Sequence, residues 1–246
     1  MNHFFADPSD IRDRDIILRG EDVNHIKNVL RLKKDDVISV SDGVSDREYR
    51  CRIDSFKEDC ILCRLDFIKE AGCELPVRVH LFQCLAKGDK MDHIIQKAVE
   101  LGVYDITPVA SKRAVVRLDE KKSAAKVKRW NAISEAAAKQ SKRSHIPAVL
   151  DTVDFENAVK AGSVFDKAVI PYELSTGFRR TREIIKDLPA GVDIAVFIGP
   201  EGGFDESEIE LAKGAGIEPV SMGKRILRTE TAAMVFLSWL VYRFEE

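Results

Sequence analysis

The sequence predicts an α/β protein in which a mostly parallel sheet is preceded by a small β-barrel, and three observations support this prediction. Short strand-like runs separated by turn residues fill the chain up to about residue 70. From residue 77 onwards, apolar strands alternate with helices, which is typical of a parallel sheet covered by helices. Two glycine-rich segments near the C-terminus each follow a short strand and open into a helix.

A change in texture at 71–76 divides the chain into two predicted domains, 1–72 and 73–246. The first contains one short helix at 21–30, and its predicted strands lie at 37–40, 49–53 and 60–67. In the second, the strands predicted before the glycine segments lie at 77–85, 105–109 and 167–171, and the helices at 89–101, 121–142 and 179–188. Gly102 is expected to end the first of these helices.

The first glycine segment, IGPEGGF at 198–204, follows a continuous apolar run at 195–198. Such a run predicts a strand that is buried on both faces. Asp205 and Glu208 have the spacing of a capping box, so we expect a helix to start at Glu206.

The second glycine segment, MGKRILRTETA, begins at Met222 after a short predicted strand at 219–222. Thr229 is expected to cap the last helix, because a threonine side chain can accept hydrogen bonds from the first helical turn. That helix carries the run 232–241, which is apolar nearly all round. We therefore expect it to be buried, either in the core or in a subunit interface.

Both glycine segments lie where a ligand pocket is expected. Glycine has no Cβ, so backbone amides and carbonyls can approach a ligand closely. Open α/β sheets bind ligands at the edge where strands lead into helices. The glycine spacing matches neither a phosphate-binding loop nor a dinucleotide-binding fingerprint. Two tight turns without a ligand remain the alternative.

The same residues carry a resemblance to a known family. IGPEGGF and MGKRILRTETA resemble the cofactor-binding half of the SPOUT methyltransferases and, more closely, of the RsmE family, which methylates N3 of a uridine in 16S ribosomal RNA. Three further stretches resemble this family: HIKNVLRL at 25–32, KGDKMD with QKAVELGV at 87–103, and RW with QSKR at 129–143. Lys139 stands where many members carry Glu. The resemblance covers nearly the whole chain.

The resemblance implies a PUA-like RNA-binding barrel at the N-terminus, a trefoil-knotted methyltransferase domain and a homodimer. It implies S-adenosylmethionine as the cofactor and small-subunit ribosomal RNA, within a ribosomal subunit, as the partner. The residues expected to hold the cofactor are Pro171, Gly199, Gly202, Met222, Gly223, Ile226 and Leu227.

Methylation of uridine at N3 requires that the N3 proton be removed. A base, a cation that stabilises the developing imidate, or both are therefore expected in the site. Arg228 and Glu201 are the ionisable residues at the rims of the two segments. We assign Arg228 as the electrostatic stabiliser and Glu201 as the base or an orienting partner. The alternative is that these two side chains pair with each other and brace the loops.

The net charge is only −2, but positive charge is concentrated in one region. Between Lys112 and His145 there are eleven Lys/Arg and three Asp/Glu, and Trp130 in this stretch offers a ring for base stacking. A basic stripe of this kind attracts RNA phosphates, although a solvated helix face would have the same composition. The expected RNA contacts are His25, Arg31, Lys87, Lys90, Arg113, Arg117 and Arg143.

The composition argues against several other classes. The sequence contains no run of eighteen apolar residues, so no membrane span is predicted. The start MNHFFADPSD lacks the pattern of a signal peptide. An odd number of cysteines without a sign of export predicts reduced thiols in the cytoplasm. Cys60 and Cys63 lack a second ligand pair, so no metal site is expected. Two rival functions remain: ribose 2′-O methylation by another kind of SPOUT enzyme, and a non-catalytic RNA-binding module.

Overall fold

The structure is a computed structural model of the 246-residue chain and describes residues 1–70, 72–116, 119–173 and 177–245. The chain forms two compact units, Met1–Glu74 with Ala138–Ile146, and Leu75–Ala137 with Pro147–Glu246. The first unit is therefore discontinuous in sequence, whereas the sequence predicts two continuous domains, 1–72 and 73–246.

The first unit is built on a sheet of six strands among the described residues. These are β1 (His3–Phe5), β2 (Ile11–Arg12), β3 (Asp15–Arg19), β4 (Val37–Ser41), β5 (Arg47–Phe56) and β6 (Cys60–Glu70). The strand order is β1-β4-β5-β6-β3-β2, and the neighbours are antiparallel except for β1 with β4. The sequence predicted three of these strands, β4, β5 and β6.

One face of this sheet carries the core of the first unit. Cys51 and Ile53 of β5 are fully buried while Arg52 between them is exposed, which is the alternation of a half-buried strand. The predicted helix at 21–30 is present as α1 (Glu21–Asn24), which continues into a π-helical turn at His25–Val29. Its buried side chains join the same core.

Glu74 anchors the segment Ala138–Ile146 within the first unit. Its carboxylate accepts hydrogen bonds from the guanidinium of Arg143 and from the backbone N–H groups of Ser144 and His145, at 3.1 and 3.2 Å. Burial of this carboxyl opposes its ionisation. The Arg143 guanidinium and the His145 N–H outweigh that effect and hold the pKa of Glu74 below its ordinary value.

The second unit contains a parallel sheet covered by helices. Its strands are β7 (Arg78–Cys84), β8 (Asp105–Ala110), β9 (Ala148–Val149), β10 (Val153–Asp154), β11 (Lys167–Pro171), β12 (Asp193–Ile198) and β13 (Glu218–Val220). Its helices are α2 (Lys90–Glu100), α3 (Glu120–Ser141), α4 (Phe155–Gly162), α5 (Phe178–Asp187), α6 (Glu206–Gly214) and α7 (Thr229–Phe244). The strand order is β10-β8-β7-β12-β11-β13, with β9 also on β8, and these pairings are parallel.

Several details of the second unit confirm the sequence analysis. β11 has the predicted bounds, and β12 includes the whole apolar run at 195–198. Asp205 and Glu208 form the predicted capping box at the start of α6. Gly102 follows α2 with φ +85°, a conformation that glycine adopts without strain.

The helix α4 was not predicted from the sequence. This helix has only eight residues, too few for a clear helical period. Gly162 at its end packs so closely on β12 that a Cβ there would lie 2.5 Å from the ring of Phe197. That ring in turn stacks on Phe82 of β7, with centroids 4.5 Å apart. The close packing of α4, β7 and β12 thus forms part of the core that supports the sheet.

α7 buries one face rather than its whole circumference. Ala233, Phe236, Leu237 and Leu240 are buried, whereas Tyr242 is 88% exposed. We predicted that this helix is buried either in the core or in a subunit interface. Burial in the core accounts for one face of α7 only. Within the part of the chain that the structure describes, no helix is long and apolar enough to cross a membrane.

Candidate active site

A cavity of about 510 Å³ opens at the carboxyl edge of the parallel sheet in the second unit. Because β11, β12 and β13 run in the same direction, the loops that follow them meet at this edge. The cavity is lined by every residue predicted to hold the cofactor: Pro171, Gly199, Gly202, Met222, Gly223, Ile226 and Leu227. The structure therefore brings these residues together, and their contact with a cofactor stays a prediction.

The first glycine loop follows β12 and is supported from behind by Phe204. A Cβ at Gly199 would lie 3.1 Å from the Phe204 ring, which is 4% exposed. The Phe204 ring thus leaves little room for a side chain at position 199. Gly203 has φ +69°, which lets the loop turn sharply before α6 begins.

Thr229 links the two loops and is not the helix cap that we predicted. It is the first residue of α7, and its hydroxyl lies 2.6 Å from the carbonyl oxygen of Gly199. The residue at the cap position is Arg228, whose side chain makes no capping hydrogen bond. The tertiary contact with Gly199 therefore takes the hydroxyl that a cap would have used.

The direction of this hydrogen bond follows from the contacts of Gln83, a fully buried residue of β7. The Nε2 of Gln83 lies 3.0 Å from the carbonyl oxygen of Cys84 and 2.9 Å from the hydroxyl oxygen of Thr229. A carbonyl can only accept, so Nε2 must be on that side of the amide. Its second hydrogen then points to Thr229, and the Thr229 hydroxyl donates its own hydrogen to Gly199.

The second glycine loop is the more exposed wall of the cavity. Gly223 has φ +106° with open space where a Cβ would stand. Ile226 is 84% exposed, and the charged residues of this loop are exposed as well. Several further residues line the cavity without having been predicted to do so from the sequence, namely Tyr172, Glu173, Ser221, Thr229 and Ala232. Tyr172 and Glu173 directly follow the end of β11, so the position of Pro171 could have indicated them.

Glu201 pairs with Lys90 rather than with Arg228. Its Oε1 accepts from the Lys90 ammonium at 2.9 Å and from the backbone N–H of Lys87 at 3.0 Å. Partial burial opposes ionisation of this carboxyl, but these two donors outweigh it and hold the pKa of Glu201 below its ordinary value. A carboxylate of lowered pKa is a weak base, so this geometry favours the orienting role.

Arg228 lines the same cavity and is exposed. Among the described residues its side chain makes no hydrogen bond or ion pair, so the predicted alternative of a brace between Arg228 and Glu201 is wrong. The Lys90 ammonium also lies 3.8 Å from the carboxylate of Glu230 in α7, so this lysine contacts two carboxylates. The guanidinium of Arg228 is thereby left available to a substrate.

The residues of the second unit that were predicted to contact RNA are not equally free to bind phosphates. Lys87 is exposed, whereas Lys90 is engaged by Glu201 and Arg113 pairs with Asp205 at 3.1 Å. Arg117 lies outside the described residues.

Trp130 was proposed as a stacking surface for a base, and this is wrong. The side chain is 1% exposed, and its Nε1 donates to Asp92 at 3.1 Å. The same Asp92 pairs with Arg129 of the basic stripe. The partner acid belongs to α2, far away in sequence, so the stripe is less available to phosphates than its composition indicates.

In the first unit, His25 and Arg31 are exposed as an RNA contact requires. Arg143 is different, since it is 3% exposed and its guanidinium is bound by Glu74. The prediction that Arg143 contacts RNA is therefore corrected to a structural role. Lys139 donates to both carboxylate oxygens of Asp22 at 3.0 Å, which gives this lysine a partner within the same unit.

Among the described residues, no group of three or more His, Cys, Asp or Glu side chains is arranged to hold a metal ion. Cys63 is buried and Cys60 partly buried in β6, and both are free thiols.

Comparison with known proteins identifies the family of the chain. Residues 73–241 match the model of an RNA methyltransferase domain, and residues 18–58 match that of an RNA methyltransferase PUA domain. The chain is 38% identical over 234 residues to the ribosomal RNA small subunit methyltransferase E of Bacillus subtilis, covering 93% of this chain and 90% of the relative.

Two solved structures are similar over almost the whole chain. A methyltransferase from Legionella pneumophila, solved in complex with S-adenosylmethionine, has 31% identity and a TM-score of 0.85, covering 98% of this chain and 96% of its own. The ribosomal RNA small subunit methyltransferase E of Neisseria gonorrhoeae, also bound to S-adenosylmethionine, has 29% identity and a TM-score of 0.83, covering 99% and 98%. The chain belongs to the ribosomal RNA small subunit methyltransferase E family.

Proposed function

We propose that this protein transfers a methyl group from S-adenosylmethionine to small-subunit (16S) ribosomal RNA, at N3 of a uridine. The observation that carries the proposal is the cavity between the two glycine loops. It combines backbone-rich walls with the exposed guanidinium of Arg228, in a chain whose relatives are solved with this cofactor. N3 as the acceptor rests on the family resemblance of the N-terminal and KGDKMD motifs.

The cavity fits the cofactor on structural grounds. Open space faces Gly203 and Gly223 where other residues would project a Cβ, and Met222, Ile226 and Leu227 supply apolar surface for an adenine ring. When bound, S-adenosylmethionine supplies an electrophilic methyl group on a sulfonium. The protein holds donor and acceptor in line, which contributes on the order of 7–11 kcal/mol in favourable cases.

The remaining chemistry falls to ionisable side chains at the rim. Arg228 stabilises the negative charge that develops on the uracil ring as the N3 proton leaves. Glu201, held ionised by Lys90, orients that lysine and the loop at Lys87 beside the acceptor. A role for Glu201 as the base is less consistent with its lowered pKa.

The other features implied by the family are part of the proposal. The N-terminal domain, 1–72, would bind RNA as a PUA-like barrel through His25 and Arg31, and the domain 73–246 would hold the cofactor in a trefoil-knotted fold. We propose a homodimer that uses the exposed side of α7, a substrate within the ribosomal subunit, and a cytoplasmic location. The curled sheet of the first unit and the parallel sheet of the second support this division of labour.

The experiment is to incubate the purified protein with methyl-labelled S-adenosylmethionine and either naked 16S RNA or small ribosomal subunits from a strain lacking this protein. Digestion to nucleosides should give N3-methyluridine. A 2′-O-methylated nucleoside would assign the rival ribose activity. Absence of label from both substrates, with RNA binding intact, would identify a non-catalytic RNA-binding module.

A further inference from the structure

The charges around the cavity do not match the cofactor that the cavity is proposed to hold. The second glycine loop places Lys224, Arg225 and Arg228 on the lining, and all three are exposed. The carboxylates of the lining are Glu173 and Glu201, and Glu201 is already neutralised by Lys90. The mouth of the cavity is therefore strongly positive.

S-adenosylmethionine carries a sulfonium, an ammonium and a single carboxylate, so its net charge is positive. Cations around it raise the energy of the bound cofactor by Coulomb repulsion. Two other cations near this edge of the second unit have acidic partners, Lys90 in Glu201 and Arg113 in Asp205. Lys224 and Arg225 have no such partner among the described residues. Their charge is unexplained by the cofactor or by the fold.

We propose that Lys224 and Arg225 bind phosphates of the RNA strand that enters the cavity, on either side of the target nucleotide. This inference rests on the proposed function and extends it, because it names the second glycine loop as an RNA-binding surface as well as a cofactor wall. A polyanion supplies the negative charge that the loop lacks, and two adjacent exposed cations can contact successive phosphates.

The charge arrangement has a thermodynamic consequence. RNA phosphates on Lys224 and Arg225 remove the repulsion that these side chains exert on the sulfonium. Cofactor and RNA should therefore bind with positive coupling, and the coupling must be reciprocal. Removing both cations should abolish part of this coupling while leaving the binding of cofactor alone unchanged or tighter.

The test uses the full-length protein with the double substitution Lys224→Ala and Arg225→Ala. In vitro transcribed 16S RNA serves as the probe, and affinity is measured at several salt concentrations. Loss of two phosphate contacts should lower the slope of log K against log salt by about 1.4 to 1.8. Relative to 1 M salt, where the electrostatic contribution vanishes, this corresponds at 0.1 M salt to roughly a 25-fold to 60-fold loss of RNA affinity. The charge-preserving variant, Lys224→Arg with Arg225→Lys, should keep the wild-type slope.

A matched control removes two cations from the opposite end of the second unit. Lys160 and Lys213 lie in the last turns of α4 and α6, where each pairs with an acid of its own helix, Glu156 and Glu210. Lys160→Ala with Lys213→Ala changes the net charge equally and should leave the salt slope unaltered. An equal drop in this control, or a wild-type slope in the loop variant, would overturn the assignment.

The proposed function is tested separately in the same experiment. Wild-type protein that binds S-adenosylmethionine and methylates the RNA supports that function whatever the loop variant does. Failure of the wild type to methylate any small-subunit RNA would count against the proposed function itself. A loop variant that loses cofactor affinity in the absence of RNA would show that Lys224 and Arg225 support the cofactor wall, and would refute the phosphate assignment.

Discussion

The hydroxyl of Thr229 donates a hydrogen bond to the carbonyl oxygen of Gly199 over 2.6 Å, and Gln83 fixes the direction of that bond. Thr229, near the end of the second glycine segment, thus binds the backbone near the beginning of the first glycine segment. Both residues line the cavity, so this hydrogen bond ties its two walls together.

Thr229→Val should weaken the binding of S-adenosylmethionine by roughly tenfold. The substitution keeps the shape of the side chain but leaves the Gly199 carbonyl without this donor, and an unsatisfied buried group costs about 1–3 kcal/mol. Isothermal titration checks the affinity. Thr229→Ser, which retains the hydroxyl, should bind nearly as well as wild type. Equal losses in the two variants would show that packing of the methyl group, not the hydrogen bond, positions the wall.

Arg228→Ala should lower the rate of single-turnover methylation by a hundredfold or more, the effect of losing one electrostatic donor worth roughly 3–4 kcal/mol. Higher pH should partly restore the rate, since solvent then removes the N3 proton more readily. Affinity for the cofactor should change far less. Arg179→Ala, which removes an exposed arginine of α5, is the matched control and should be fully active. A variant of Arg228 that simply loses cofactor affinity would make this residue part of the wall.

His80 should make the stability of the second unit depend on pH. Its ring lies 2.9 Å from Asp105 and 2.8 Å from Asp193, at the amino ends of β8 and β12. Burial lowers the pKa of the ring, but the hydrogen bonds to both carboxylates outweigh this and raise the pKa of His80. The stabilisation is therefore complete below the unfolded value of about 6.5 and is lost as the pH rises through the higher folded value.

Thermal denaturation of wild type and His80→Asn between pH 5.5 and 9 checks this prediction. The difference in Tm should be largest at the acidic end and should shrink as the pH rises. Cofactor affinity should be the same in both proteins, because His80 lies at the edge of the sheet opposite the cavity. A difference that grows with pH would contradict the assignment of a charged imidazole.

Arg143→Met should destabilise the first unit by about 3–5 kcal/mol, because it leaves the carboxylate of Glu74 without its buried partner. Urea denaturation, followed by a probe in that unit, measures the loss. Replacing Glu74 by Gln in the same chain should recover a large part of the loss, since no unpaired charge then remains. RNA affinity measured where both proteins are folded should be unchanged, and a clear decrease would restore Arg143 as an RNA contact.

The sequence predicted the elements of the second unit well because their signals are local. The apolar run of β12 and the pair Asp205 and Glu208 each span only a few residues of sequence. The run predicted the strand, and the pair predicted the start of α6. The same reasoning brought the two glycine segments to one edge, since parallel strands end together. The short helix α4 gave no such signal.

Burial and pairing were harder to predict because they depend on residues distant in sequence. Arg143 and Trp130 have the chemistry of RNA contacts, yet Glu74 and Asp92 engage them. Thr229 has the sequence position of a cap, yet its hydroxyl is used by Gly199. Residue type indicated what each side chain can do, and the tertiary contacts decided which of those options it takes.

The discontinuity of the first unit sets an order of events during synthesis. The sheet of that unit is complete in sequence by Glu70, but Glu74 finds its partners only when Ala138–Ile146 has been made. At 5–20 residues per second, the ribosome takes roughly 4 to 14 s to cover that interval. Until Arg143 has been synthesised, the carboxylate of Glu74 therefore stays hydrated, and the first unit lacks its second segment.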